Sequence, residues 1–164
     1  MEKILDNYQY EEDTQKGKYL TFNLGNEFYG IGIEYVTEII GILPITEVPE
    51  LPNFIRGIVN LRGRIIPVMD VRLRFKKAYA EYNERTCIIV VDIQENAVGL
   101  IVDGVAEVTN ITDDNIVSQP MLSSGTSNQY VKSIGKVGQD VKLLLDCDKL
   151  LTHHEVSIIS EING

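Results

Sequence analysis

The sequence predicts an all-β protein with short helices, organised as two small barrels of about five strands each. Three observations carry that reading. Short β-rich runs bounded by Gly, Pro, Asn and Asp dominate the chain, as strands joined by turns require. The chain repeats itself internally. Its length of 164 residues fits one compact unit, or two small subdomains that share a core.

The repeat is the most informative of the three. Gly30-Ile31-Gly32-Ile33-Glu34-Tyr35-Val36-Thr37-Glu38-Ile39 runs parallel to Gly99-Leu100-Ile101-Val102-Asp103-Gly104-Val105-Ala106-Glu107-Val108 at a constant offset (99 − 30 = 69). Further on, Phe54-Ile55-Arg56-Gly57-Ile58 matches Tyr130-Val131-Lys132-Ser133-Ile134, and Val68-Met69-Asp70 matches Leu144-Leu145-Asp146 (130 − 54 = 76). The second copy is therefore longer by seven residues (76 − 69 = 7), which fall naturally in the Ser/Gly-rich stretch around Ser124. Two barrels of this size, each too small for a large core, gain by packing apolar faces together. Residues 18–75 should then superpose on 86–150 strand for strand.

Taken in order, residues 1–16 read as a polar tail without sustained periodicity. Tyr19 to Leu24 alternates and reads as a half-buried strand. Gly25-Asn26 turns the chain, and Glu27 to Ile33 is its hairpin partner. Val36, Ile39 and Ile40 stand at helical spacing within Glu34 to Ile40, which predicts one or two helical turns stopped at Gly41. Pro44, Pro49 and Pro52 mark an extended segment. Ile58 to Arg62 and Ile65 to Met69 read as strands joined at Gly63, and Lys76 to Glu84 as a linker. Thr86 to Ile93 and Ala97 to Asp103 form the next strand pair. Residues 118–128 read as a surface loop, followed by strands at Val131 to Val137 and Val141 to Leu145, and by a terminal helix within Lys149 to Ile162. The implied divisions are a tail at 1–16, a first barrel at 17–82, a second at 83–152 and a C-terminal helical segment at 153–164.

Composition and motifs weigh against several classes of function. A net charge of -9 disfavours nucleic acid as the main ligand, because phosphate-dominated binding needs a basic face and 15 basic residues against 24 acidic ones leave little for one. The apolar runs are far too short to span a bilayer and no charged-then-apolar leader opens the chain, so a cytoplasmic protein is expected. No P-loop, dinucleotide fingerprint or metal-spaced His/Cys cluster appears, so no catalytic residue, cofactor or metal is expected. His153 and His154 read as solvated, and Cys87 and Cys147 as small buried apolar residues. Asp70 and Asp146, at matching repeat positions, read as strand ends that cap the following turn rather than as a catalytic pair.

The segment Asn60-Leu61-Arg62-Gly63-Arg64-Ile65-Ile66-Pro67-Val68-Met69-Asp70-Val71-Arg72 gathers three arginines and a proline into one hairpin. It reads either as a solvated hairpin tip over core-facing aliphatics or as a recognition edge. Together with Phe54-Ile55-Arg56-Gly57-Ile58-Val59 before it, this segment resembles the signature of CheW proteins. Phe22 to Ile39 and Val98-Gly99-Leu100-Ile101-Val102-Asp103-Gly104-Val105 are similar to that family as well, and the likeness runs from about residue 18 to 152.

That resemblance implies two SH3-like five-stranded barrels related by a pseudo-twofold, with no enzymatic activity and no cofactor. It implies a chemotaxis scaffold that binds the regulatory domain of the histidine kinase CheA and receives the cytoplasmic tip of a chemoreceptor. Carried onto this chain, the receptor-side positions are Val36, Glu38, Ile39, Gly57, Arg62, Gly63, Val105 and Val108, with Glu38 and Arg62 approaching each other. The plainer alternatives are core packing for the aliphatics and turn geometry for the glycines. Two other readings stand beside this one: a CheW-like module of a larger CheA or CheV protein, and an oligonucleotide-binding barrel. The acidic balance and the absence of Trp disfavour the last.

Overall fold

The computed structural model describes residues 16–118 and 129–163. Its strands are β1 (Lys18–Leu24), β2 (Glu27–Gly32), β3 (Val36–Gly41), β4 (Ile55–Leu61), β5 (Arg64–Asp70), β6 (Cys87–Ile93), β7 (Asn96–Val102), β8 (Gly104–Asn110), β9 (Ile116–Ser118), β10 (Val131–Val137) and β11 (Asp140–Leu145). Two short α-helices, α1 (Val71–Arg74) and α2 (His153–Asn163), complete it, with 3-10 turns at Ile33–Tyr35, Asp113–Asn115 and Cys147–Lys149. The protein is all-β with short helices, as its sequence predicts.

The strands form a six-stranded sheet, β8-β1-β2-β11-β10-β9, and a five-stranded sheet, β3-β6-β7-β5-β4. Moving each strand to its repeat equivalent turns β8-β1-β2-β11-β10 into β3-β6-β7-β5-β4. The repeat in the sequence is therefore a repeat in topology, down to the parallel pairings of β2 with β11 and β7 with β5. The sheets do not, however, divide the chain where the repeat does. The five-stranded sheet uses residues between Val36 and Val102, and the six-stranded sheet uses what lies outside them. The boundary expected at 82–83 falls inside the five-stranded sheet, between β5 and β6. Each repeat copy lends its third, fourth and fifth strands to the sheet begun by the other copy.

Both sheets curl back on themselves in the same way. After edge strand β3 the chain reaches the opposite edge, where Thr46 bridges Ile58 of β4. After edge strand β8 it does the same through β9, which pairs with β10. The loop expected at 118–128 lies, beyond Ser118, outside the described residues, as does the tail before Lys16.

Matching glycines explain why the central pairings are so close. A Cβ at Gly30 would lie 2.8 Å from Leu144, and one at Gly99 2.7 Å from Ile88 and 2.9 Å from Val68. Leu144 and Val68 are the parallel-strand partners of these glycines. Only a residue without a side chain lets those strands meet across a filled interior. The matched aspartates are equally alike. Asp70 accepts from the Leu73 N–H and Asp146 from the Asp148 N–H, each capping the turn that follows its strand. Their own N–H groups donate to the repeat-equivalent carbonyls of Phe54 (2.7 Å) and Tyr130 (2.8 Å).

One core lies between the sheets. It joins Leu20, Phe22, Tyr29 and Ile31 of the six-stranded sheet to Ile89, Val91, Leu100 and Val102 of the other. Phe22, Tyr29, Phe75 and Tyr130 run through it as an aromatic ladder with ring centroids 5.7, 5.4 and 5.1 Å apart. A second core, of Val59, Leu61, Ile66, Val68, Ile88, Val90 and Ile101, fills the curl of the five-stranded sheet. Cys147 lies fully inside the first core, and burial pushes its thiol well up; Cys87 is only half-buried, at the start of β6. His153 and His154 are exposed on the first turn of α2.

Helix α2 begins at His153, where the expected C-terminal helical segment starts, and Thr152 and Glu155 form a capping box there. The Thr152 N–H donates to Glu155 Oε1 at 2.8 Å, and the Glu155 N–H to Thr152 Oγ1 at 3.2 Å. The same carboxylate takes a two-pronged contact from Arg74, Nη1 to Oε2 at 3.1 Å and Nη2 to Oε1 at 2.9 Å. The Arg74 guanidinium also lies 4.2 Å from the Phe54 ring centroid and 5.1 Å from that of Tyr130. Glu155→Gln keeps an acceptor for the cap but removes the charge facing a mostly buried arginine. It should cost about 2 kcal/mol, less than a fully buried pair because both side chains keep some exposure. A urea titration compared with wild type measures it; a change within 0.5 kcal/mol of zero, the scatter of ordinary surface substitutions, would show the pair to be incidental.

Candidate functional site

The expected helix over Glu34 to Ile40 is a single 3-10 turn, Ile33–Tyr35, followed by strand β3. Val36, Thr37, Ile39 and Ile40 are β-branched and favour extended backbone, and the edge of β6 offers them hydrogen bonds. Helical spacing had nonetheless put Val36 and Ile39 on one face, and they do share one. The reason is a β-bulge: Val36 lies opposite Val91 and Glu38 opposite Val90, so Thr37 is the extra residue and Ile39 comes opposite Ile89. Ile89 and Val91 both face the core between the sheets.

Strand β8 carries the same device. Val105 lies opposite Phe22 and Glu107 opposite Thr21, with Ala106 as the extra residue and Val108 opposite Leu20. Val36 and Val105 are half-buried against the inter-sheet core. Ile39 is 44% exposed and Val108 52%. On each edge strand the shared core thus emerges at the surface through a pair of aliphatic side chains.

Glu38 and Ile40 take the other face of β3, toward the second core. From the far side of that curl Arg62 reaches across to Glu38, its Nη2 at 2.6 Å from Oε1 and 2.5 Å from Oε2. One nitrogen meets both oxygens, so the two parallel hydrogen bonds that a guanidinium can make are not formed. Hydrogen bonding to Glu38 is the main cause raising the Arg62 pKa. Arg62 does not end a strand. It sits at φ 51 with Gly63 at φ 88, the two central residues of a tight turn between Leu61 and Arg64. Positive φ at both fits a type I′ turn, where Asn-Gly is the favoured pair and arginine is not. The Gly63 N–H is held at 2.8 Å by Asn60 Oδ1.

Gly57 is placed differently from the other expected residues. It is buried in β4, at φ 145, and a Cβ there would stand 2.1 Å from the Thr46 carbonyl oxygen. Its geometry serves the bridge that closes the five-stranded sheet and presents no side chain to a partner.

The signature's third arginine also acts within the fold. Arg72 Nε donates to Asp103 Oδ1 at 2.7 Å and its Nη2 to Oδ2, while the Gly25 N–H donates to the same Oδ2 at 2.7 Å. This side-on fork ties α1 to the crossover between β7 and β8 and to the β1–β2 turn. Hydrogen bonding by Arg72 holds the Asp103 carboxyl below its usual value. Nothing in the sequence pairs two residues this far apart, although both lie in the quoted motifs. Beneath the irregular 76–84 connection, Tyr82 donates to Asp70 Oδ2 at 2.7 Å, so this segment is tied down rather than a free linker. Among the described residues no cluster of three or more His, Cys, Asp or Glu side chains could hold a metal ion, and no helix is long and apolar enough to cross a membrane.

Comparison with known proteins gives a consistent result. A family model described as the CheW-like domain matches residues 18–155. The chemotaxis protein CheW of Klebsiella aerogenes is 35% identical over 150 residues, covering 92% of this chain and 90% of that protein. That of Treponema pallidum is 28% identical over 147 residues, covering 87% and 86%. The crystal structure of the scaffolding protein TtCheW from Thermoanaerobacter tengcongensis superposes with a TM-score of 0.78 at 34% identity, covering 85% of this chain and 94% of that one.

Proposed function

Since the chain belongs to the CheW family, we propose that it is a non-catalytic chemotaxis scaffold that couples the histidine kinase CheA to the cytoplasmic tips of chemoreceptors. On this reading it works by protein–protein binding in the cytoplasm and is recruited to membrane-bound receptor arrays. The observation that carries the receptor half of the proposal is the paired emergence of the core along β3 and β8. Two bulged edge strands offer Val36 with Ile39 and Val105 with Val108, which suits the apolar stripe of a helix. Glu38 and Arg62 stiffen the same margin across the mouth of the five-stranded sheet. Gly63 shapes the turn that carries Arg62, and Gly57 acts from beneath by leaving room for the Thr46 carbonyl that pairs with Ile58.

Two substitutions test the receptor surface. Ile39→Asp places a charge on an exposed position and should weaken binding to a receptor cytoplasmic fragment at least tenfold. The circular dichroism spectrum and binding to the CheA regulatory domain should stay unchanged. Val36→Asp should do the same with a somewhat lower thermal midpoint, because Val36 also packs against the core. If Val36→Asp unfolds the protein and Ile39→Asp leaves receptor binding intact, these aliphatics are core and rim, and docking lies elsewhere.

A further inference from the structure

Glu38 and Glu107 hold the same position in the two copies of the repeat, each directly after the bulged residue of an edge strand. Their surroundings differ in one respect. Glu38 is met across the mouth of its sheet by Arg62, the first residue of the two-residue turn between β4 and β5. The equivalent turn, between Val137 of β10 and Asp140 of β11, begins with Gly138 at φ 62. The second copy has no guanidinium there. Glu107 is exposed, and among the described residues its carboxylate takes part in none of the ion pairs. It stands between Val105 and Val108 in sequence and on the opposite side of the same edge strand, so a segment lying along β8 meets the aliphatics and the acid together.

We infer that Glu107 is a docking carboxylate that receives a lysine or arginine from the receptor's helical tip as that tip packs on Val105 and Val108. This rests on the receptor-binding reading above and adds a charge requirement to it. The partner supplies in trans the cation that Arg62 supplies in cis to Glu38. Fully solvated, such a pair would contribute little. Across the edge strand from two aliphatics that a docked helix covers, and so partly shielded from water, it gains strength and selects partners with a basic residue at that point of the helix. The asymmetry between the two mouths also gives a reason for orientation: one edge is already neutralised and the other is open to a cation.

The test uses the full chain and the cytoplasmic tip fragment of a chemoreceptor, with binding measured by calorimetry at low and moderate salt. Glu107→Gln should weaken binding about tenfold at low salt and flatten its salt dependence. Gly138→Arg puts an arginine where the first copy carries Arg62, at a φ that Arg62 itself adopts, and should weaken binding in a way that Glu107→Gln makes redundant. Both variants should keep the wild-type thermal midpoint within a few degrees. Wild-type binding with Glu107→Gln unchanged at every salt concentration overturns the inference and leaves the receptor reading standing. Failure of the wild type to bind any receptor fragment, with its fold intact, overturns that reading and this inference with it.

Discussion

Gly57→Ala should be the most damaging single-methyl change in the protein, losing about 4 kcal/mol. At 164 residues that corresponds to a fall of roughly 10 °C or more in thermal midpoint. The added Cβ would sit 2.1 Å from a backbone carbonyl oxygen, and φ 145 already lies outside the range L side chains adopt readily. The chain relieves both only by giving up the reciprocal hydrogen bonds between Thr46 and Ile58, each 2.9 Å long. Strain and two lost backbone bonds act together. Differential scanning calorimetry checks the magnitude. Folded Gly57→Ala protein with a wild-type midpoint and weak receptor binding would instead make Gly57 a contact residue, which its burial argues against.

The second large effect is functional, and it separates binding from stability. Arg62→Asn replaces a residue poorly suited to a left-handed turn position by one that favours it, ahead of a glycine that completes the pattern. The thermal midpoint should stay level or rise slightly. Receptor binding should fall at least tenfold, because Glu38 loses its only ion-pair partner among the described residues and the margin of the five-stranded sheet loses its tie. In a double-mutant cycle with Glu38→Gln the losses should be markedly non-additive. Additive losses would mean that the two residues contact the partner separately; unaltered binding in either variant would remove this corner from the docking surface. An arginine held at positive φ against turn preference is the kind of local inconsistency expected where function, not folding, sets the residue.

Much of the fold was legible in the sequence because each repeat copy writes its own strands. The hairpins β1–β2, β4–β5, β6–β7 and β10–β11 are local events with turn signals between them, and the matched Phe54/Tyr130 and Asp70/Asp146 pairs make matched hydrogen bonds. What could not be read is which hairpin lies beside which. The pairings of β2 with β11 and β1 with β8 join residues far apart in the chain, and no local pattern encodes them. The false helix at Glu34 to Ile40 has a different cause. A bulge restores an apolar spacing of three within a strand, and spacing alone cannot tell that from a helical turn. At the candidate site, residue chemistry pointed to the arginine-rich hairpin, while the link from Arg62 to Glu38 came from family likeness. Glu107 drew no notice because what sets it apart is a contact that its twin Glu38 makes and that is absent at Glu107 among the described residues.

The nesting of one sheet inside the other has a consequence for synthesis. All strands of the five-stranded sheet have been made once Val102 is complete, so it can close while the rest of the chain is still being translated. The hairpin of β1 and β2 is made first but has to wait for β11, about forty residues later, or roughly 2–8 s at ordinary elongation rates. During that interval Leu20, Phe22, Tyr29 and Ile31 can pack on Ile89, Val91, Leu100 and Val102 but still lack Tyr130, Leu145, Leu150 and Leu151, the part of the core made last. The hairpin of β1 and β2 is thus made before the other strands and is among the last to gain all of its strand neighbours. Slowing translation beyond Val102 would lengthen that wait without altering a single residue.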